Sequence, residues 1–384
     1  MRAGLGCGFL GALAFAVIVL GCSGSSSPSG FDDGSGNGNG NGGSSGGGAF
    51  GGGGKGSSGS NPAGADPNTP PCDDGVTGAT GEDFAKAIGL CTSAAKDGYG
   101  LVSATFTRGY GRSDAPKAEQ HGVLAKFGDV IKPREGKMLA ALSTGYAQEY
   151  DGTGSAPFGG DGLAGTNGID WWNAQKNRGN GTAPPGFPKP ASGCPIDTHV
   201  NDVVDLKLTI QAPTGATGFK FDFDFYSGEW PAYVCSSFND GFVAYLSAKG
   251  FNGGKPDNVS FDKNNNPVSV NNGFFDRCTP NVTTGCESLG GAQATSMCPG
   301  GPAELGGTGF GVSGKWCLGS NQTSTNGGAT GWLTTQAPIS GGETFTLEFM
   351  IWDTGDGVLD SSVLIDNFKW IGGAPVSAGT ERPN

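Results

Sequence analysis

At 384 residues and a formal net charge of −12, the chain is long enough for one large domain or two smaller ones. The charge is unevenly placed: Arg2, Lys55, Asp32, Asp33 and Asp66 together contribute −1 and leave −11 for the residues from 72 onwards. A domain that acidic is a poor partner for nucleic acid or for an anionic membrane surface.

The chain begins Met1-Arg2 and enters an apolar run from Phe9 to Leu20. That run falls short of the roughly 20 apolar residues a spanning helix needs, and it has the length and flanks of a signal-peptide core. It ends Val19-Leu20-Gly21-Cys22-Ser23. An aliphatic residue three before the cysteine and a small one directly before it resemble the lipobox of secreted lipoproteins. The resemblance implies that residues 1–21 are removed and that Cys22 carries diacylglycerol, with further acylation of the new amino terminus. Multiple acyl chains are what make such an anchor hold. Ser23 after the cysteine, in place of Asp, points to the outer membrane or cell surface.

Residues 22–71 are the lipidated cysteine and a Gly/Ser/Asn/Pro-rich tether, too poor in large apolar residues to offset the entropy of ordering. A flexible tether of that length reaches about 40 Å. Of ten cysteines, Cys7 lies in the signal and Cys22 takes lipid. The remaining Cys72, Cys91, Cys194, Cys235, Cys278, Cys286, Cys298 and Cys317 are even in number in an exported chain, which predicts disulfides. Cys72 with Cys91 and Cys278 with Cys286 are the pairs expected as local staples. No CxxC pair is present and only His121 and His199 are available, which disfavours zinc.

One short helix is predicted early, with Thr80 as cap, Glu82 and Asp83 in the first turn, and Phe84, Ala87, Ile88 and Cys91 at helical spacing. A strand follows at 100–106. Residues 152–193 read as a long irregular loop containing Trp171-Trp172. The second half alternates: Phe221, Phe223 and Phe225 against Lys220, Asp222, Asp224 and Tyr226, which reads as a half-buried antiparallel strand. Phe345, Leu347, Phe349 and Ile351 repeat the pattern within 344–353. Further strands are predicted at 205–211, 242–247, 258–261 and 362–370. Short strands with Gly, Pro and Asn turns and few helices predict an antiparallel β-sandwich or jelly-roll-like domain. Residues 72–204 form its N-terminal part, 205–373 its main body, and 374–384 a disordered tail.

The stretch Phe219 to Asp240, an aromatic-alternating strand followed by Ser227-Gly-Glu229-Trp-Pro231 and then Phe238-Asn-Asp240, resembles the choice-of-anchor L domain. Asn266-Pro-Val-Ser-Val-Asn-Asn272, Thr330-Gly-Trp-Leu-Thr334 and Trp352-Asp-Thr-Gly-Asp-Gly through Asp366-Asn-Phe368 follow in that family's order. The likeness covers roughly 205–370, and Phe84 to Cys91 resembles what precedes the domain in lipoprotein members. It implies an exported module held at the cell surface, here by lipid, and no established activity. Cys235 departs from the pattern and implies an added disulfide.

The aspartates of the last segment are the strongest chemical lead. Carboxylates spread through a glycine-containing loop supply hard oxygen ligands to calcium. The predicted set is Asp353, Asp356, Asp360 and Asp366, with Glu229 and Asp240 converging from the ends of another strand pair. Asp366 alternates with Leu364 and Phe368 and is placed facing inwards, where a carboxylate needs a partner or a metal. The plainer alternative is turn-forming aspartates with one hydrogen-bonded buried Asp. Asp262-x-Asn264-x-Asn266 nears an EF-hand, but Pro267 stands where glycine is required, so a hairpin turn is predicted.

Other motifs carry less. Gly309-Phe-Gly-Val-Ser-Gly314 matches GxGxxG without a following helix, and Gly42-Gly-Ser-Ser-Gly46 matches GxSxG only because the tether is Gly and Ser. His121 and His199 lie in no catalytic motif. Trp171 and Trp172, with Trp230 and Trp332, are candidates for stacking on sugar rings, against core packing as the ordinary role of Trp. The sequence therefore predicts a non-enzymatic, lipid-anchored surface module that binds a glycan or a surface protein, or is structural. The alternatives are a carbohydrate-binding envelope or matrix protein and a secreted glycoside hydrolase using Glu229 and the Asp cluster, which needs its carboxylates about 5 Å or about 6.5–9.5 Å apart.

Overall fold

A threonine hydroxyl starts the first helix. In the computed structural model, which describes residues 70–150, 181–191, 193–271, 274–286, 293–315, 323–357 and 359–383, Thr80 Oγ1 accepts the Asp83 amide at 3.2 Å and caps α1, Gly81–Ala87. Phe84, Ala85, Ala87 and Ile88 are buried. Gly89, with φ +92°, ends the turn before Cys91, which the helical spacing had included. A second helix not read from the sequence, α2, Ala94–Asp97, is four residues long.

Among the described residues sixteen strands follow in chain order. They are β1 Gly100–Thr107, β2 His121–Leu124, β3 Leu139–Ser143, β4 Val200–Gln211, β5 Ala216–Ser227, β6 Gly241–Ser247, β7 Asp257–Asn258, β8 Thr283–Thr284, β9 Ala294–Thr295, β10 Val312–Lys315, β11 Thr323–Asn326, β12 Gly328–Ala329, β13 Leu333–Pro338, β14 Thr344–Thr354, β15 Ser361–Gly372 and β16 Gly379–Glu381. One of the two large sheets runs β1-β4-β14-β6-β7 and the second runs β16-β13-β5-β15-β3-β2, with β12 also on β5; β8-β9 and β10-β11 form separate two-stranded sheets. Every strand pair is antiparallel. The architecture is the mainly β sandwich the sequence predicts.

The two sheets meet through phenylalanine. Phe219, Phe221, Phe223 and Phe225 of β5 face the other sheet: Phe219 stacks on Phe345 at 5.4 Å, Phe221 meets Phe349 edge-on at 4.9 Å, and Phe223 packs on Phe242 at 5.0 Å. Burying each such side chain stabilises by about 1.5–3 kcal/mol, with the aromatic geometry adding to it. The second face of β5 is not half-buried as the alternation predicts. Asp222, Asp224 and Tyr226 are all buried, because Phe127, Ile131, Leu305 and Phe310 cover that side of the sheet. The outer face of the other sheet is covered in the same way around Met350, Trp352 and Tyr245.

Strands from within 72–204 belong to the same two sheets: β1 lies on β4, and β3 lies on β15. The tail is not disordered. β16 pairs with β13, and Arg382 donates to the Thr330 carbonyl at 2.6 Å and pairs with Asp276 at 3.1 Å. Disulfides join Cys72 to Cys91 as expected and Cys194 to Cys235. Cys278 bonds Cys298 rather than Cys286, since the β8–β9 hairpin brings residue 298 back beside 278; Cys286 is disulfide-bonded as well. Cys317, Cys22, the signal, most of the tether and Trp171-Trp172 lie outside the described residues.

Phe221→Ala, which removes a ring packed between the sheets, is expected to cost about 3–5 kcal/mol, read as a lower urea midpoint at unchanged slope. Deleting residues 375–384, which removes β16 and Arg382, is expected to lower the melting temperature as well.

Candidate functional site

The inward-facing rows of the sandwich are apolar along most of their length and turn acidic at one end. On β6 the row Leu246, Ala244, Phe242 runs back to Asp240; on β14 the row Phe345, Leu347, Phe349, Ile351 runs on to Asp353; on β15 Ile365 and Val363 lead back to Ser361. Period-two alternation alone therefore carries these polar side chains into the same end of the interior. A bulge brings in another. The β14–β4 register shifts between Ile351 and Asp353, and Asp202 on β4 takes φ +50°, leaving its side chain buried beside Asp353.

The hydrogen bonds there are specific. Glu229 Oε2 accepts the Asp240 amide at 3.1 Å; Asp240 Oδ1 accepts the Thr354 amide at 3.0 Å and Oδ2 the Ser361 hydroxyl at 2.7 Å. The Thr144 hydroxyl accepts the Ser361 amide at 2.9 Å. Asp360 is fully buried, with its carbonyl accepting from Gly228 and its carboxylate against Gly145, where a Cβ would lie 2.3 Å from Oδ2. Burial raises the Glu229 carboxyl well above the ordinary range, and the Asp240 charge adds to it. Asp353 is raised likewise by burial and then by Asp240, Asp202 and Asp360. Burial lifts Asp240 to about 7 against its hydrogen bonds from Ser361 and Thr354.

Of the six acids expected together, the structure gathers Glu229, Asp240, Asp353 and Asp360, with half-buried Asp356 acting on Glu229 and Asp240 by charge. Asp366 is elsewhere. It sits on the outer face of its sheet, opposite Asp222, and accepts from the Arg134, Glu135 and Asn367 amides at 2.5, 3.2 and 2.6 Å. The alternation that placed it inwards breaks at a bulge, where Asn367 takes φ +57° and Phe368 turns back into the interior. Asp202 and Thr144 were missed, since nothing in a lone Asp before Val203-Val204 announces a bulge. Among the described residues, no group of three or more His, Cys, Asp or Glu side chains is arranged to hold a metal ion.

The remaining candidates separate. Asp262 Oδ1 accepts the Asn264 and Asn266 amides at 2.8 and 2.9 Å, closing the predicted hairpin turn. His121 is stacked on Phe106 at 3.9 Å, with burial lowering its pKa, and His199 Nδ1 lies 2.6 Å from Asp197 Oδ1. Trp230 is buried on Phe275 at 5.7 Å, whereas half-buried Trp332 lies under the Arg134 guanidinium at 5.8 Å. Gly309 to Gly311 lead into strand β10 and not into a helix.

Fold and site together define a disulfide-bonded antiparallel β-sandwich with acids buried at one end. The family model of the Choice-of-anchor L domain matches residues 202–369, so the resemblance read from the sequence is borne out over that segment. No curated protein and no solved structure matches the chain. The family is one of surface-associated modules and is not an enzyme family. The match begins at Asp202 and omits β1, β2, β3 and β16, which complete the two sheets.

Two buried acids outside the cluster set a pH dependence. Asp224 is raised to about 7, first by burial, despite hydrogen bonds from the Tyr226 hydroxyl at 2.8 Å and Thr330. Asp366 is raised to about 7 by burial despite its backbone donors. Folded-state pKa values above the unfolded ones mean that stability is fully present below about pH 4 for these groups and is lost as pH rises through about 7. The urea midpoint is expected to fall between pH 5 and pH 8, and Asp224→Asn to flatten that fall; an unchanged slope in the variant would count against Asp224 as its source.

Proposed function

We propose that the chain is a lipid-anchored module of the cell surface, tethered through diacylglycerol on Cys22, whose sandwich acts by binding rather than by chemistry. The observation that carries this reading is the pairing of a lipobox-like Val19-Leu20-Gly21-Cys22 with a Choice-of-anchor L segment at 202–369. Disulfides fit an oxidising compartment outside the cytoplasm. No helix among the described residues is long and apolar enough to cross a membrane. The outer membrane is the destination favoured by Ser23, with the tether holding the sandwich clear of the lipid.

The closed setting of the acids supports a non-enzymatic reading over the hydrolase. Glu229 is 4% exposed and Asp240 1%, and the Asp240 amide lies against the Glu229 carboxylate, with no room for a sugar between them. A glycan or a surface protein is the ligand class that suits such a surface module.

Anchoring is tested by labelling cells with a radioactive fatty acid and partitioning extracts between detergent and water. The wild-type chain is expected to be labelled and to enter the detergent phase, and Cys22→Ser to lose both properties. An unlabelled wild-type chain, or equal partitioning of the two, would overturn the lipid anchor.

A further inference from the structure

Buried carboxylates in this fold are, as a rule, provided with donors. Glu343 accepts the backbone amides of Ser340, Lys249 and Gly250 at 2.5, 2.7 and 3.2 Å, and Asp73 accepts those of Lys137 and Met138 at 2.6 and 2.7 Å. Asp353 differs from these. It is 2% exposed, at the inner end of the β14 row, and neither carboxylate oxygen has a hydrogen-bond partner of ordinary geometry. Its charged neighbours are Asp240, Asp202 and Asp360, and the Thr144 hydroxyl is near enough to act on it as a weak hydrogen-bond donor. The charged groups acting on Glu229 and Asp240 are likewise acidic. A carboxylate so placed in a protein interior either takes up a proton or is compensated by a cation.

We propose that this end of the sandwich binds one divalent cation, calcium, between the carboxylates of Asp353 and Asp360 and the hydroxyl of Thr144. Calcium takes roughly 6–8 oxygens and accepts hydroxyls, carbonyls and water beside carboxylates. With a hydroxyl, carbonyls and water beside them, two acids as direct ligands suffice. Asp202, Asp240 and Glu229 surround the ion as negative charge without ligating it. Magnesium is disfavoured, since it demands near-octahedral geometry and gives up its water reluctantly. The ion ties together the segment after β3, the end of β14 and the residue before β15, and it does so whether or not Cys22 is lipidated.

The test uses the full-length chain, stripped of metal by a chelator. Thermal unfolding is followed with calcium or magnesium added, for the wild type, Asp353→Asn and, as a control outside the site, Asp366→Asn. Calcium at about a hundredfold excess over its dissociation constant is expected to raise the wild-type melting temperature by about 5 °C. Magnesium is expected to raise it less, Asp353→Asn to show no response, and Asp366→Asn to keep the wild-type one. No calcium shift in the wild type, or a full shift retained in Asp353→Asn, overturns the site. Should Asp353→Asn not fold, terbium bound to the wild type decides instead: luminescence excited through tryptophan and displaced by calcium is the expected result, and its absence overturns the proposal.

Discussion

The phenylalanine row of β5 is the constraint on which the other parts depend. Phe219, Phe221, Phe223 and Phe225 each need a partner ring or aliphatic group from the facing sheet, and β14 and β6 supply them through Phe345, Phe349 and Phe242. Because side chains alternate with a period of two, a one-residue slip of β5 would bring Asp222 and Asp224 into that apolar layer. The row thereby holds β13, β15 and β12 in register on β5. The same alternation, followed to the strand ends, brings Asp240, Asp353 and Ser361 together.

The parts of the fold with long, strongly alternating runs were legible in the sequence, and so was the family that the 202–369 segment matches. β5, β14, β4, β6 and β15 are all of this kind. β3, with Leu139-Ala-Ala-Leu-Ser143, is buried on both faces and has no alternation to read. The strand β16 follows a Gly/Pro-containing stretch and owes its place to pairing with β13 and to Arg382, contacts that are remote in sequence. The site was legible in its residue types and only partly in its membership. Glu229, Asp240, Asp353 and Asp360 lie where regular alternation or a strand end puts them. Asp202 is displaced by a bulge. Asp366 follows the regular outward row of β15, and only Phe368, beyond the bulge at Asn367, returns to the inner face, which is what made the Leu364-Asp366-Phe368 alternation misleading.

Burial of the second face has its own origin. A sandwich whose outer faces meet water would carry polar residues there, as the Lys220, Asp222, Asp224 alternation leads one to expect. In this chain the segments before β4 and after β7 fold over those faces, with Phe127 and Phe310 on Tyr226 at 5.1 and 5.4 Å. Asp224 then becomes an interior group held by Tyr226 and Thr330, and Asp222 an ion-pair partner of Arg134 at 3.1 Å. Asp222 thereby fastens the segment carrying Arg134 to the sheet.

The strands outside the family match have a consequence for where such a module can be cut. Cut at 202 and 369, the chain would lose β1 from β4, β3 from β15 and β16 from β13, leaving three strands with a row of unsatisfied backbone groups. Bare edges of that kind recruit strands from other chains. The unit that folds without bare edges is therefore wider than the matched segment, and its borders are set by where the sheets close.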